Sequence, residues 1–295
     1  MTLLGRTRTF PGELPIPSQA GVGLRAPHFS QVAREKPLVP WFELDCDRLL
    51  CEGSTHPELL EIAKSYPLSL HAIGLSLGAR TPPTHLQLRN LADLVSVLEP
   101  GLVSDHLSWG EAEGVQFSDL SSEPYSWEAL RSVARNVQIV QEALKRRLII
   151  ESPALCSDSP RAAFSECGFM AEVVLRTGCG VLLNINNVYV NACNNGSSPM
   201  RTLYDFLEAI DPADIEEIHL AGHTINPNGT LLVDSRYARV PPSVWELFER
   251  AVEHLGPCPT LIEWDTCIPS FEVLLEESAS AERILAGRGV RRNVV

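Results

Sequence analysis

The sequence predicts an α/β fold of one domain, a (β/α)8 or TIM barrel, from the order and composition of its apolar segments. Eight short runs rich in Leu, Ile and Val lack polar alternation, which is typical of parallel strands covered on both faces. Helical patterns lie between most of these runs, and eight strands that alternate with helices favour a closed barrel. The length of 295 residues is common for such a barrel.

The individual elements follow in chain order. The predicted strands cover residues 21–24, 41–44, 67–71, 101–107, 147–151, 180–185, 217–221 and 259–264. The predicted helices cover residues 56–66, 84–98, 126–147, 164–178, 200–210, 242–255 and 271–286, and Ser54 or Thr55 is a candidate N-cap for the first. We expect a flexible leader over residues 1–20, the barrel over 21–286 and a tail over 287–295. A doubly wound sheet is the alternative, but GVGLRAPH lacks the GxGxxG spacing of a dinucleotide loop.

The composition narrows the partners and the compartment. The chain has 37 acidic and 24 basic residues and a net charge of -13, which disfavours nucleic acid and anionic membranes as partners. No segment reaches the ~18 apolar residues of a membrane span. The first 19 residues carry no apolar signal core. The eight cysteines form no CxxC pair, so we expect a protein of the reducing cytoplasm.

Polar side chains gather at the ends of the predicted strands, and these ends converge on one rim of a barrel. A single buried histidine is most often a hydrogen-bonded core residue. Several histidines and carboxylates together are costly without a cation among them. Mixed ligands of this kind favour iron, manganese or zinc over calcium. The residues are Glu43, His71, Asp105, His106, Glu151, Asn184, Asn186, His219 and Glu263, with His223, Asp234 and Asp265 in the loops beyond.

Eight segments resemble the DUF692 family in order and spacing, from about residue 21 to about residue 284. They read GVGLRAPHF, LSLHAIGLSLG, LVSDHLSW, LIIESPA, NINNVYVNACNNG, EIHLAGH, VPPSVWELF and LIEWDTCIPSFEVLL. Members of this family are multinuclear non-haem iron oxidases related to the methanobactin-biosynthesis oxidase, and their fold is a TIM barrel. The resemblance implies an enzyme that uses iron and dioxygen to oxidise cysteine residues of a ribosomally made precursor peptide. It also implies a small partner protein that binds the leader of that peptide.

The resemblance further implies which residues act. One or two iron ions are expected, with His219, Glu151 and Glu263 around the first and His71, Asp105 and Asp234 around the second. The full set of implied metal ligands is Glu43, His71, Asp105, Glu151, Asn184, His219, Asp234 and Glu263. The implied catalytic residues are Asp105, His106 and Asn187.

The chain departs from the family's pattern at several of these positions. A family Asp is replaced by Asn184, and a DxH segment reads Asp234-Ser235-Arg236. The guanidinium of Arg236 could fill a vacated metal position and pair with the remaining acids. Further departures are Ser118-Asp119 for an HD pair, Asn195 for the histidine of an NHG segment, and Ala238 for a histidine.

Two other function classes stay open at this stage. The first is a degenerate, non-catalytic family member that acts as a peptide-binding or partner subunit, and the lost ligands favour it. The second is another metal-dependent TIM-barrel hydrolase or isomerase, which the near-full-length motif match disfavours. Cys46, Cys193 and Cys267 lie near the predicted rim, where a lone cysteine is more often an unreactive neighbour.

Overall fold

The strands of the protein close into a parallel barrel, as the sequence predicts. The computed structural model describes residues 15–51, 57–109, 125–153 and 162–289. The barrel strands are β1 (Ala20–Leu24), β2 (Phe42–Asp45), β3 (Leu68–Ala72), β4 (Leu102–His106), β5 (Ile149–Glu151), β6 (Gly180–Asn184), β7 (Ile215–Leu220) and β10 (Thr260–Ile262). Their order in space is β1-β10-β7-β6-β5-β4-β3-β2. Each lies within two residues of its predicted bounds.

Helices cover the outside of this barrel. They are α1 (Phe29–Glu35), α2 (Cys46–Cys51), α3 (Pro57–Ala63), α4 (His85–Leu98), α5 (Trp127–Leu144), α6 (Glu166–Thr177), α7 (Ile185–Asn194), α8 (Pro199–Ala209), α9 (Pro242–Leu255) and α10 (Phe271–Gly289). Short 3-10 helices cover Ala26–His28 and Pro212–Asp214. The candidate caps Ser54 and Thr55, and most of the predicted leader, lie outside the described residues. Within the described residues, no helix is long and apolar enough to cross a membrane.

Four elements were not predicted. They are α1, α2, α7 and an antiparallel hairpin of β8 (His223–Ile225) and β9 (Leu232–Asp234). The segment of α7, INNVYVNACN, is rich in asparagine, which favours turns and caps over helix interiors. The helix forms because the side chain of Asn184 caps it, accepting a hydrogen bond from the backbone N–H of Asn187 at 3.0 Å.

The hydrophobic core is built from residues that recur with the helical period in the helices and with the twofold period in the strands. In α9 the buried residues Val244, Leu247, Phe248, Ala251 and Val252 recur at helical spacing, so one face packs on the barrel. In the strands, alternate residues point outward to the helices and inward to the barrel interior. The inward positions near the carboxyl ends carry the polar side chains described below.

The barrel closes where its first strand, β1, pairs with its last strand, β10. Residues Ala20 and Val22 of β1 pair with Thr260 and Ile262 of β10. The last helix reinforces this seam, because Ser278 Oγ donates a hydrogen bond to the carbonyl of Ala20 at 3.0 Å. Glu282 accepts a hydrogen bond from the Ala20 N–H at 2.9 Å.

We expect Gly21→Ala to destabilise the protein. A Cβ atom at Gly21 would lie 2.4 Å from the ring of Trp41. That ring is fully buried and donates a hydrogen bond to the carbonyl of Gln19, so it cannot easily move. Overpacking of this kind costs about 1–3 kcal/mol, which urea denaturation would detect. The control is Gly287→Ala, where nothing lies within 4 Å of the new Cβ. Equal stability of the Gly21 variant and the wild type would contradict the prediction.

Candidate metal centre

The inward positions of the strands place three groups of ionisable side chains at the carboxyl-end mouth of the barrel. The twofold strand period puts Ser104 and His106 on one face of β4, and Glu217 and His219 on one face of β7. In β2 the inward residue is Glu43. These side chains are buried or nearly so, and they pack against one another rather than against solvent.

The first group, here called the His–His–Glu site, comprises His71, His106 and Glu151. The Oε2 atom of Glu151 lies 3.1 Å from His106 Nε2 and 3.5 Å from His71 Nε2. One ligand atom from each residue falls within 4.8 Å of the others. The same three atoms are buried and have no hydrogen-bond partner among the described residues. Buried polar atoms without a partner are costly, so this arrangement suits a bound cation.

A serine fixes the orientation of one imidazole in this site. His71 Nδ1 lies 2.7 Å from Ser104 Oγ, and that hydroxyl lies 3.5 Å from the carbonyl of Leu70. If Ser104 donates to the carbonyl, it accepts the Nδ1 proton of His71. The Nε2 lone pair then faces Glu151, as metal-binding histidines require.

The protonation of the His–His–Glu site also suits a metal ion. Burial, and then the charge of Arg236, lower the pKa of His106 to about 3. Burial, and then the neighbouring His106, lower the pKa of His71 well below its usual value. Burial raises the pKa of Glu151, although Arg236 opposes this shift. Both imidazoles are therefore neutral at pH 7, with lone pairs available as ligands.

The second group, here called the His219 cluster, comprises Glu43, Glu217 and His219. His219 Nε2 lies 3.2 Å from Glu43 Oε2 and 3.3 Å from Glu217 Oε1, while its Nδ1 lies 3.6 Å from Glu263 Oε2. Burial alone would lower the pKa of His219, but the charge of Glu43 and hydrogen bonds to the surrounding carboxylates raise it well above its usual value. Burial raises the pKa of Glu43 to about 8. A protonated His219 supplies a positive charge to these acids, so this cluster needs a metal less than the His–His–Glu site does, although both Glu43 oxygens also lack a hydrogen-bond partner among the described residues.

The third group, here called the carboxylate ring, comprises Glu151, Asp234, Glu263 and Asp265 around the guanidinium of Arg236. Its Nε donates to Asp234 at 2.6 Å, and its NH1 donates to Glu263 at 2.6 Å and to Asp265 at 3.2 Å. Its NH2 donates to Glu151 Oε1 at 3.4 Å. Burial alone would lower the pKa of Arg236, but these carboxylates raise it. The guanidinium is therefore permanently charged inside the mouth.

Asparagine side chains hold the acids in place. Asn184 Nδ2 donates to Glu151 Oε1 at 2.8 Å and to Glu263 Oε2 at 3.4 Å. Asn187 Nδ2 donates to the same Glu151 oxygen at 2.9 Å. The oxygen of Asn184 caps α7, so this residue turns its amide N–H donors toward the acids and uses its oxygen for the helix. Asn186 donates to Asp234 at 2.7 Å and contacts His223 Nδ1 at 2.8 Å.

The structure separates the implied ligands into these groups and leaves two outside, Asp105 and the helix cap Asn184. His71 and Glu151 lie in the His–His–Glu site, Glu43 and His219 in the His219 cluster, and Asp234 and Glu263 in the carboxylate ring. Asp105 lies between Ser104 and His106, so its side chain points to the opposite face of β4. Its Oδ1 atom accepts a hydrogen bond from the His106 N–H.

Sequence reasoning missed Glu217 and the central place of His106. Glu217 stands two residues before His219, and the twofold period of a strand was the signal for it. Among the described residues, no cysteine belongs to either of the ligand clusters that could hold a metal ion. Burial raises the pKa of Cys46 well above its usual value, and Cys267 is exposed. The departures at Ser118 and Asp119 lie outside the described residues.

Asp265→Asn is expected to lower stability in a pH-dependent way. Burial would raise the pKa of Asp265, but ion pairs with Arg25, at 2.5 Å, and Arg236 lower it. A lowered pKa contributes stability above the unfolded value of about 3.9, and this contribution is lost as the pH falls below it. We expect a deficit of about 1–3 kcal/mol at pH 7 and pH 5, and a smaller deficit at pH 3.5, by urea denaturation. Asp205→Asn, which removes an exposed pair with Arg201, is the control. A deficit that grew in acid would contradict this assignment.

Together, the closed parallel barrel and the ligand groups at its mouth define a TIM-barrel enzyme with a site of the metal-binding type. A sequence model of the family described as RiPP precursor modification enzyme MbnB/TglH/ChrH matches residues 19–286. RiPPs are ribosomally synthesised and post-translationally modified peptides. The chain belongs to this family, which confirms the resemblance stated above.

Curated relatives support the same membership. The chain is 40% identical over 266 residues to a UPF0276 protein of Acaryochloris marina, covering 90% of this chain and 94% of that protein. It is 41% identical over 276 residues to a UPF0276 protein of Vibrio vulnificus, covering 92% and 94%.

Solved structures show the same fold at low identity. Endonuclease IV from Thermus thermophilus has a TM-score of 0.58 and 15% identity, covering 92% of this chain and 99% of that one. The 3-keto-D-glucoside 4-epimerase from E. coli has a TM-score of 0.55 and 10% identity, covering 91% and 99%. At these identities the likeness concerns the fold alone.

Proposed function

We propose that the protein is an iron-dependent oxidase that modifies cysteine residues of a ribosomally made precursor peptide with dioxygen. The observation that carries this proposal is the convergence of three buried, unpartnered ligand atoms in the His–His–Glu site. Two histidines and one carboxylate are the ligand types of many non-haem iron enzymes that use dioxygen. The family acts on RiPP precursor peptides, which supports a peptide substrate.

Each residue of the site would have a separate role in this reaction. His71, His106 and Glu151 would hold the iron, which would supply the redox chemistry with dioxygen. Ser104 would orient His71, and Asn184 and Asn187 would orient Glu151 through the oxygen that faces away from the histidines. Arg236 would keep Glu151 ionised, because its charge opposes the effect of burial on the pKa of that carboxyl.

The mouth of the barrel is where the peptide would arrive. The side chain of His106 is 15% exposed although its Nε2 atom is buried, and we propose that the substrate approaches the His–His–Glu site from that side. The net charge of -13 favours a peptide or partner that carries basic residues near the bound cysteine. We also propose that a small protein delivers the leader of the peptide, and that the reaction takes place in the cytoplasm.

Elemental analysis and oxygen uptake would test the proposal. The full chain would be produced in iron-supplemented medium and purified without chelator or oxygen. We expect one tightly held iron per chain, together with oxygen consumption and a mass change in a cysteine-containing precursor peptide. A cysteine-to-serine version of the peptide is the control and should remain unmodified. A folded protein that binds no iron would contradict the proposal.

One observation favours a second candidate, a non-catalytic peptide-binding subunit. The carboxylate ring already contains a cation, Arg236, so part of the mouth needs no metal. Under this second function, the protein would bind the precursor peptide without consuming oxygen, with or without iron. Peptide binding measured beside oxygen uptake would therefore separate the two functions.

A further inference from the structure

The carboxylate ring has the composition of a cation site. Its four carboxyl groups come from three separate segments: Glu151 from β5, Asp234 from β9, and Glu263 and Asp265 from the segment after β10. Each of them places an oxygen within 3.4 Å of the same guanidinium. Hard oxygen donors that converge in this way are typical ligands of divalent cations.

A second observation points to a ligand in the same place. His219 Nδ1 is fully buried and has no hydrogen-bond partner among the described residues. It lies 3.6 Å from Glu263 Oε2, an oxygen of the carboxylate ring. In the presence of Arg236 this nitrogen carries a proton, and it would become a nitrogen donor to the acidic set only if a metal ion in the ring displaced that proton.

The backbone holds Arg236 in this position at a cost. Its φ angle is 48°, in the left-handed region that non-glycine residues rarely adopt. Its N–H donates to the carbonyl of Gly222 at 3.2 Å, and its carbonyl accepts from the Asp265 N–H at 2.8 Å. A Cβ at Gly222 would lie 2.2 Å from the carbonyl of Ala238, so the turn tolerates little change. The loop therefore directs the guanidinium into the ring rather than toward solvent.

The four carboxylates of the carboxylate ring require a positive charge among them. Two arginines face its four acids: Arg236 at the centre and Arg25, which pairs with Asp265 from the outer side. Carboxylates this close repel one another, and burial increases that repulsion. Removing Arg236 would leave two buried acids, Glu151 and Asp234, without a positive partner, because Glu263 keeps His219 and Asp265 keeps Arg25.

We propose that the guanidinium of Arg236 occupies a second metal site, the carboxylate ring, in place of a metal ion. The chain would then hold one metal ion, in the His–His–Glu site, and none in the ring. The inference rests on the proposed function only for the ion in the His–His–Glu site. It predicts that a neutral side chain at residue 236 opens the ring to a divalent metal ion. It further predicts that lysine, which keeps the charge, does not.

Metal stoichiometry of variants at residue 236 tests this inference. Wild type, Arg236→Ala and Arg236→Lys would be loaded with Fe(II) without oxygen and, in parallel, with Mn(II). Metal per chain would be measured by plasma mass spectrometry. We expect one ion in the wild type and in Arg236→Lys, and two in Arg236→Ala. The matched control is Arg239→Ala, three residues further on, where an exposed arginine pairs with Glu276 and Glu277. It should bind as the wild type does.

A double variant separates this inference from the proposed function. His71→Ala with Arg236→Ala should bind one ion, because the ring is open while the His–His–Glu site is damaged. A wild type with no ion and an Arg236→Ala with one ion would refute the proposed iron site and support the inference. Equal metal content in the wild type and Arg236→Ala would overturn the inference, whether that content is one or none.

Melting temperatures measured with and without Mn(II) provide a second test, which can be used even if Arg236→Ala folds poorly. Without metal, this variant should melt well below the wild type, because its acids are left unpaired. Added Mn(II) should raise its melting temperature by more than it raises that of the wild type. A melting temperature that Mn(II) raises no more in Arg236→Ala than in the wild type would overturn the inference.

Discussion

His71→Ala and His106→Ala are each expected to weaken iron binding at least about a hundredfold and to abolish modification of the peptide. Altering a residue that merely orients a ligand typically costs 10–100-fold in metal affinity, and loss of a ligand itself should cost more. Each variant leaves one imidazole and Glu151, which are too few ligands to hold iron tightly. Competition with a chelator, followed by elemental analysis, would measure the loss.

Two controls define this result. His254 is exposed on α9, so His254→Ala should keep the iron content of the wild type. Ser104→Ala removes only the partner of His71 Nδ1, so we expect an intermediate loss of affinity. Unchanged iron binding in both His71→Ala and His106→Ala would show that the metal lies elsewhere at the mouth.

His219→Ala should cause a large loss of stability, of about 3–5 kcal/mol. Removal of one partner from a buried group of charges typically costs this much, and His219 lies within 3.6 Å of three carboxylates. Guanidinium denaturation of metal-free protein would measure the effect. The control is His28→Ala, because His28 is also buried, and its side chain hydrogen-bonds to the carbonyl of Pro269 and packs on Phe271. Its loss should be closer to about 1 kcal/mol.

The pH dependence of this deficit has a definite sign. The pKa of His219 is higher in the folded protein than the unfolded value of about 6.5. Its protonation therefore contributes stability that is complete below about pH 6.5 and is lost as the pH rises through the folded value. The deficit of His219→Ala should be larger at pH 6 than at pH 9. A larger deficit at pH 9 would mean that His219 is neutral in the folded protein.

The barrel could be predicted from the sequence because its strands are covered on both faces. Such strands read as continuous apolar runs, and all eight were found to within two residues. The elements that were missed have other causes of stability. Helix α7 depends on a cap from Asn184 and on tertiary contacts of asparagines. The β8–β9 hairpin is three residues per strand, too short for a pattern, and Asn194 fixes its edge by two hydrogen bonds to Leu232.

The site was predictable as a set of residues but less so as separate groups. Strand ends identified the mouth, so most of the implied residues do meet there. The sequence did not show which residues of β4 face the barrel interior. Asp105 and His106 both end the strand, and only one of two adjacent residues can face inward. Glu217 was not predicted because it lies two residues before His219 in β7, below the end of the strand, and the prediction considered only strand ends. The contacts of Arg236 depend on a left-handed backbone angle, which the sequence DSRYARV does not encode in any simple pattern.

The seam between β1 and β10 has a consequence for the order of events during synthesis. The hydrogen bonds that link Ala20 to Ser278 and Glu282 span more than 250 residues of chain. A ribosome releases the chain from its N-terminus, so β1 can pair with β2 early but lacks its second neighbour, β10, until all the other barrel strands have emerged. Contacts this distant in sequence form slowly. Glu263 and Asp265 follow β10 in the chain, so the carboxylate ring can be completed only after these two residues have also emerged.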